Sequence, residues 1–104
     1  MSWVYLFIAG IFEIVWAIAL KYSNGFKNLI PSIVTVIGMI ISFGFLSISL
    51  KNLSVGTAYA IWTGIGAVGT VIMGVILFKD IISPIKILFL IMIIGGIIGL
   101  KFTS

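Results

Sequence analysis

The feature that most constrains this chain is a set of four apolar segments, each about as long as a bilayer is thick. They cover about residues 2–20, 29–50, 57–78 and 84–100. About 20 apolar residues in an α-helix span the hydrocarbon core, and a helix satisfies its own backbone hydrogen bonds there. The sequence therefore predicts an all-α integral membrane protein, with four transmembrane helices in a single domain over residues 1–104.

The composition agrees with that fold class and excludes several functions. Of the 104 residues, 62% are hydrophobic and 8% are charged, whereas about a quarter of a soluble domain is charged. The chain has no histidine and no cysteine, and its two acids are Glu13 and Asp80. A serine–histidine–aspartate triad and a disulfide are excluded, and we expect no metal site and no cofactor. No link between the segments is long enough to hold an active site, so any chemistry must lie within the membrane, and we expect no enzyme activity.

The positions of the lysines indicate whether the chain binds nucleic acid and how it is oriented in the membrane. They stand singly at the ends of apolar segments, which is typical of membrane-edge anchors and not of a nucleic-acid patch. Four follow the first and third segments and two lie at the opposite end: Lys21, Lys27, Lys79 and Lys86 against Lys51 and Lys101. This excess scarcely fixes an orientation, so the chain could insert in both directions.

Glu13 is the only charged residue between Met1 and Leu20. An ionised carboxylate inside a bilayer costs about 2.5–3.5 kcal/mol on insertion scales, and such residues usually serve an ion or proton pathway. On a helix, Glu13 shares a face with Gly10 and Trp16, which lie one turn away on either side. We interpret this face as a lined cavity. The alternative is a protonated glutamate that only holds helices together.

Two aromatic residues of the third segment, Tyr59 and Trp62, are three apart and share a helix face. An interfacial aromatic belt would explain Tyr59. Trp62 lies five residues inside the segment, which is about 8 Å from its start at the rise of an α-helix. That depth favours a pocket in which aromatic faces attract a cation.

Polar and small residues in the second and third segments leave alternatives open. A membrane serine usually bonds to its own helix backbone, and from the residues alone we favour that for Ser42. The stretch from Gly64 through Gly66 to Gly69 matches G-x-G-x-x-G, but no strand precedes it and no acid follows about 20 residues later, which argues against a dinucleotide site. In a membrane helix, Gly64 and Gly66 indicate a kink or a close helix contact.

These motifs together resemble the small multidrug resistance family along the whole chain. The matching features are Glu13 in the first of four short helices, the run Leu20–Phe26, and the run Gly56–Gly66. Trp16, three residues after the glutamate, resembles the guanidinium-exporter subtype, as does Gly99-Leu100-Lys101.

The resemblance implies an antiparallel dual-topology homodimer in the bacterial cytoplasmic membrane, which exports guanidinium or substituted guanidinium cations in exchange for protons. It implies that Glu13 is the shared site for proton and substrate, with Trp16 beside it and Ser42 as a hydrogen-bond partner of the glutamates. From its chemistry, the indole N–H of Trp16 can donate to a carboxylate oxygen. Further positions follow from the family pattern: Gly10, Tyr59 and Trp62 at the site, Gly64 and Gly66 at a bend, and Gly96 at the dimer contact. Phe89 stands where the family usually has a second glycine of that contact.

Two rival functions remain at this point. One is a broad exporter of quaternary ammonium compounds, which would share the glutamate but not the need for Trp16. The other is a small membrane interaction protein, in which Glu13 has no transport role. Proton-driven flux of guanidinium separates transport from interaction.

Overall fold

A computed structural model, which describes residues 2–103, gives four helices: α1 (Ser2–Tyr22), α2 (Leu29–Ser49), α3 (Val55–Phe78) and α4 (Pro84–Thr103). All four are long and apolar enough to cross a membrane. The prediction of an all-α protein with four transmembrane helices is confirmed.

The helix ends depart from the expected bounds by a few residues, and a capping side chain explains one departure. The hydroxyl of Ser54 accepts a hydrogen bond from the backbone N–H of Thr57 at 3.3 Å, which satisfies one of the unpaired donors in the first turn of α3. The helix therefore begins at Val55 and not at Thr57. α1 and α4 each continue beyond their apolar segments, through Lys21 and Lys101.

The helices pack unequally. α1 lies against both α2 and α3, whereas among the described residues the backbone of α4 comes close to that of α3 alone. At the far end of α4, the Nζ of Lys101 lies over the ring of Trp3 on α1, 5.7 Å from its centroid. The buried core is a small cluster on α1 and α3, made of Leu6, Ala9, Ala58, Ile61 and Trp62. α4 buries no residue. Most of its apolar surface therefore faces lipid or another chain.

Glycines let α1 approach its two neighbours closely. A β-carbon on Gly10 would come within 2.6 Å of Cγ2 of Ile65 on α3. A β-carbon on Gly38 of α2 would come within 2.9 Å of Cβ of Trp16. Small residues at such contacts are how membrane helices gain packing without a hydrophobic driving force. The two glycines place the α1 segment that carries Glu13 directly between α2 and α3.

Candidate functional site

Glu13 lies in the middle of α1 and points towards α3. Its carboxylate packs on the backbone of Gly66, so closely that a β-carbon on Gly66 would overlap Oε1 and Cδ of the glutamate. Since glycine has no side chain, the α3 backbone itself forms the wall behind the acid. Glu13 as a whole residue remains partly exposed.

Two buried polar atoms on this face of α1 have no hydrogen-bond partner among the described residues. They are Oε2 of Glu13 and Nε1 of Trp16. A buried donor or acceptor without a partner costs about 1–3 kcal/mol, and more when the group is charged. One of the two is an acceptor and the other a donor, and they do not bond to each other. The expected hydrogen bond from Trp16 to a carboxylate is therefore not formed with Glu13 of the same chain.

A second polar cluster joins three helices beside the glutamate. The hydroxyl of Ser42 on α2 donates to the carbonyl of Ala9 on α1 at 2.7 Å. The indole N–H of Trp62 on α3 donates to the Ser42 hydroxyl at 2.9 Å and lies 3.3 Å from the same carbonyl. In an α-helix the carbonyl of residue 9 also accepts from the N–H of residue 13. The cluster thus holds the turn of α1 that carries Glu13.

From the sequence we expected the hydroxyl of Ser42 to bond to the backbone of its own helix. That interpretation is wrong, because the hydroxyl proton goes across to α1. Ser42 is completely buried, and its single proton is engaged by Ala9, so within one chain it does not donate to Glu13. Its proposed role towards the glutamates of a dimer stays a prediction.

Aromatic rings form a continuous row from Trp16 to Tyr59. Phe43 links them, with its centroid 6.5 Å from that of Trp16 and 5.4 Å from that of Trp62. Tyr59 follows, 5.6 Å from Trp62. Trp62 is 7% exposed, whereas its two neighbours in the row, Phe43 and Tyr59, are 45% and 58% exposed, so Trp62 is the buried member of the row. Sequence reasoning missed Phe43, because an aromatic residue in an apolar segment carries no signal of its own.

The remaining predicted positions are placed as follows. α3 is an unbroken helix through Gly64 and Gly66, and Gly64 contacts α4, where a β-carbon would come within 2.9 Å of Ile97. Both glycines therefore make close helix contacts here. Gly96 is exposed, with nothing within 4 Å of the place of its β-carbon. The bend at Gly64 and Gly66 and the dimer contact at Gly96 stay predictions.

Comparison with known proteins decides the family. The family model described as Small Multidrug Resistance protein matches residues 1–93. The chain belongs to the small multidrug resistance family. It is 58% identical over 104 residues to a guanidinium exporter of Proteus vulgaris, with all of both chains covered. It is 55% identical to a guanidinium exporter of Salmonella typhimurium and 54% identical to one of Citrobacter freundii, in each case over the whole chain and 99% of the relative.

Membership confirms the resemblance seen in the sequence, including its leaning towards the guanidinium-exporter subtype. With four spanning helices, this small multidrug resistance protein is a multi-pass protein of the bacterial cytoplasmic membrane. The names of its relatives describe transport and not a catalysed reaction.

Proposed function

We propose that this protein exports guanidinium-type cations in exchange for protons, and that it does so as a homodimer of two oppositely inserted subunits. The observation that carries the proposal is the pair of buried, unpartnered groups on α1, the carboxylate oxygen of Glu13 and the indole N–H of Trp16. The names of the three relatives support guanidinium as the substrate.

Guanidinium suits the acceptor of this pair. It is planar, it carries N–H donors and no acceptor, and it forms paired hydrogen bonds with carboxylates. Oε2 of Glu13 can accept from the cation once a movement of the surrounding helices uncovers this buried atom. The row of aromatic rings beside it adds faces that attract positive charge.

The donor of the pair requires a different partner. Since guanidinium and the indole N–H of Trp16 are both donors, the substrate cannot satisfy Trp16. An acceptor from a second subunit can, once the buried indole N–H is uncovered. The one charged acceptor that a transmembrane segment of this chain offers is Glu13. In a dimer, Trp16 of one subunit would hold the glutamate of the other, and the two carboxylates would face one substrate.

The exchange with protons follows from competition for the carboxylates. A glutamate that has bound a proton no longer offers the charge that binds the cation, so the two occupy the site in turn. Inverted subunits supply two equivalent half-sites, and exchanging their shapes would open one site to either side. The weak lysine excess is compatible with such insertion.

The two rival functions fit the site less well. A quaternary ammonium ion has no N–H, so it would leave Oε2 of Glu13 without a hydrogen bond. If Glu13 only joined helices, both of its carboxylate oxygens would be expected to accept hydrogen bonds from neighbouring helices. Within residues 2–103, Oε2 has no such partner.

The test is transport by the purified protein in proteoliposomes. We expect guanidinium to produce a current and proton release in the native protein, and Glu13→Gln to abolish both, because the amide neither binds the cation nor exchanges a proton. Asp80→Asn is the matched control, since Asp80 is the other acid and lies outside the spans. Proton-driven guanidinium transport by Glu13→Gln would refute the mechanism, and no transport by the native protein would favour an interaction protein.

A further inference from the structure

A cavity of about 690 Å³ lies between the end of α3 and the start of α4. We call it the α3–α4 cleft. Along the two helices its walls are apolar and include Val75 and Phe89. Its polar lining is confined to the end where the helices meet, and consists of Lys79, Asp80 and Lys86. The cleft is therefore amphipathic along its length.

The backbone at Lys79 is unusual for the residue it carries. α3 ends at Phe78, and Lys79 follows in the left-handed conformation, with φ 55° and ψ 36°. Glycine or asparagine usually occupies such a position, because a β-carbon is strained there. A positive charge near the end of a helix is favourable, which explains part of the choice of lysine. The side chain of Lys79 also lines the cleft, where its charge is available to a ligand.

Both lysines of the cleft are exposed. Among the described residues neither side chain makes a hydrogen bond or an ion pair. The nearby acid, Asp80, also lines the cleft, and its Oδ2 packs on α3, where a β-carbon on Gly74 would come within 2.6 Å of it. Two positive charges against one negative charge thus stand at the edge of the membrane, directly above an apolar cavity.

We propose that the α3–α4 cleft binds a phospholipid with an anionic head group. The acyl chain would lie along the apolar walls, and Lys79 and Lys86 would bind the head group. A basic site between transmembrane helices is typical of anionic lipid binding. A soluble anion would leave the apolar walls unused, and a zwitterionic lipid would leave the net positive charge uncompensated. The proposal does not rest on the transport function, but it requires that the cleft side of Phe89 stay clear of the dimer contact that the family resemblance implies at this position.

The first measurement is lipid binding to the full-length protein, purified and delipidated in detergent. Native mass spectrometry would count bound phosphatidylglycerol and phosphatidylcholine over a titration of each. We expect a preference for phosphatidylglycerol. Replacing Lys79 and Lys86 by glutamine should weaken its binding about fivefold for each lysine removed.

The control pair is Lys21→Gln with Lys27→Gln. It removes the same charge near the same end of the bundle, but neither residue lines the cleft. We expect this pair to leave the affinity for phosphatidylglycerol unchanged. An equal loss in both pairs would mean general attraction to the surface and would overturn the proposal, as would no loss in the Lys79 and Lys86 pair.

Two further measurements separate the possible occupants. Val75→Phe narrows the cleft without changing its charge. If this variant is helical and as stable as the native protein, its affinity for phosphatidylglycerol should be lower. Retained affinity would overturn the acyl-chain part of the proposal. Displacement of the lipid by millimolar inorganic phosphate would assign the site to a soluble anion instead. A second copy as occupant would be shown by efficient disulfide cross-linking of Val75→Cys between subunits, since Val75 lines the cleft away from the expected dimer contact and the chain has no other cysteine.

Discussion

The carboxylate of Glu13 on α1 occupies the space that a side chain of Gly66 on α3 would need. Because Gly66 has no side chain, α3 leaves room for the carboxylate of Glu13 at this place. Gly66 has a packing role in the site whether or not α3 also bends there. A larger residue at position 66 would push the acid away from α3.

Gly66→Ala tests this relationship. We expect the variant to fold but to lose guanidinium transport, because the new methyl group displaces the carboxylate. Gly56→Ala is the matched control in the same helix, where nothing lies within 4 Å of the added carbon. It should keep transport, since the added methyl group meets no neighbouring atom. Native transport by a folded Gly66→Ala variant would contradict the contact.

The cluster of Ala9, Ser42 and Trp62 should contribute to stability as a unit. Trp62→Phe removes the indole donor, and Ser42→Ala removes the hydroxyl that links α2 to α1. Hydrogen bonds between membrane helices contribute about 0.6 kcal/mol on average, and the loss of packing around Trp62 adds to that. We expect the double variant to lose less than the sum of the single losses, because the two share one hydrogen bond.

A double-mutant cycle in detergent, followed by the unfolding free energy, measures this coupling. Simple additivity of the two losses would show that Ser42 and Trp62 act separately. Transport should fall in both single variants, since the cluster holds the α1 turn that precedes Glu13.

Dual insertion is tested with a cysteine at Ser104, a position outside the described residues 2–103. The natural chain has no cysteine, so one thiol per subunit reports the side of the membrane. We expect an impermeant reagent to label about half of the protein in intact cells, because the lysine excess is too small to select one orientation. Labelling of all or none of the chains would rule out dual insertion.

The helices could be predicted from the sequence because about 20 consecutive apolar residues have one stable arrangement in a bilayer. The residues at which the helices begin and end could be predicted less well. α3 begins two residues before its expected start, since the capping contact of Ser54 decides where the first turn forms. Hydropathy does not register such a contact.

The site could be predicted only as far as single residues identify themselves. Glu13 stands out because no other acid lies in an apolar segment. The hydrogen-bond partner of Ser42 could not be predicted, because it depends on which turn of α1 lies opposite α2. A serine has the same local hydrogen-bonding options in any membrane helix. The contact between Glu13 and Gly66 likewise depends on the register of two helices more than 50 positions apart in the sequence.

Trp16 is the residue that should decide selectivity. Its ring lies edge-on to Phe43 and its Cβ packs on Gly38, so it fills the space one turn from Glu13. Trp16→Gly would remove that volume and the buried indole donor together. A hydrogen bond to a charged group contributes about 1.5–3 kcal/mol, so we expect guanidinium transport to fall roughly tenfold to a hundredfold.

The same change should spare or improve transport of a tetraalkylammonium ion, which needs room and offers no N–H to aligned carboxylates. A site built around hydrogen bonds discriminates strongly against a ligand that leaves them unmatched, and Trp16→Gly relaxes that requirement. The decisive measurement is the current for guanidinium and for tetraethylammonium in the same proteoliposomes. Trp3→Phe is the control for loss of an indole elsewhere, at the end of α1 remote from Glu13. If both currents fall in proportion in a well-folded Trp16→Gly variant, Trp16 only packs between helices, and selectivity must reside in other residues.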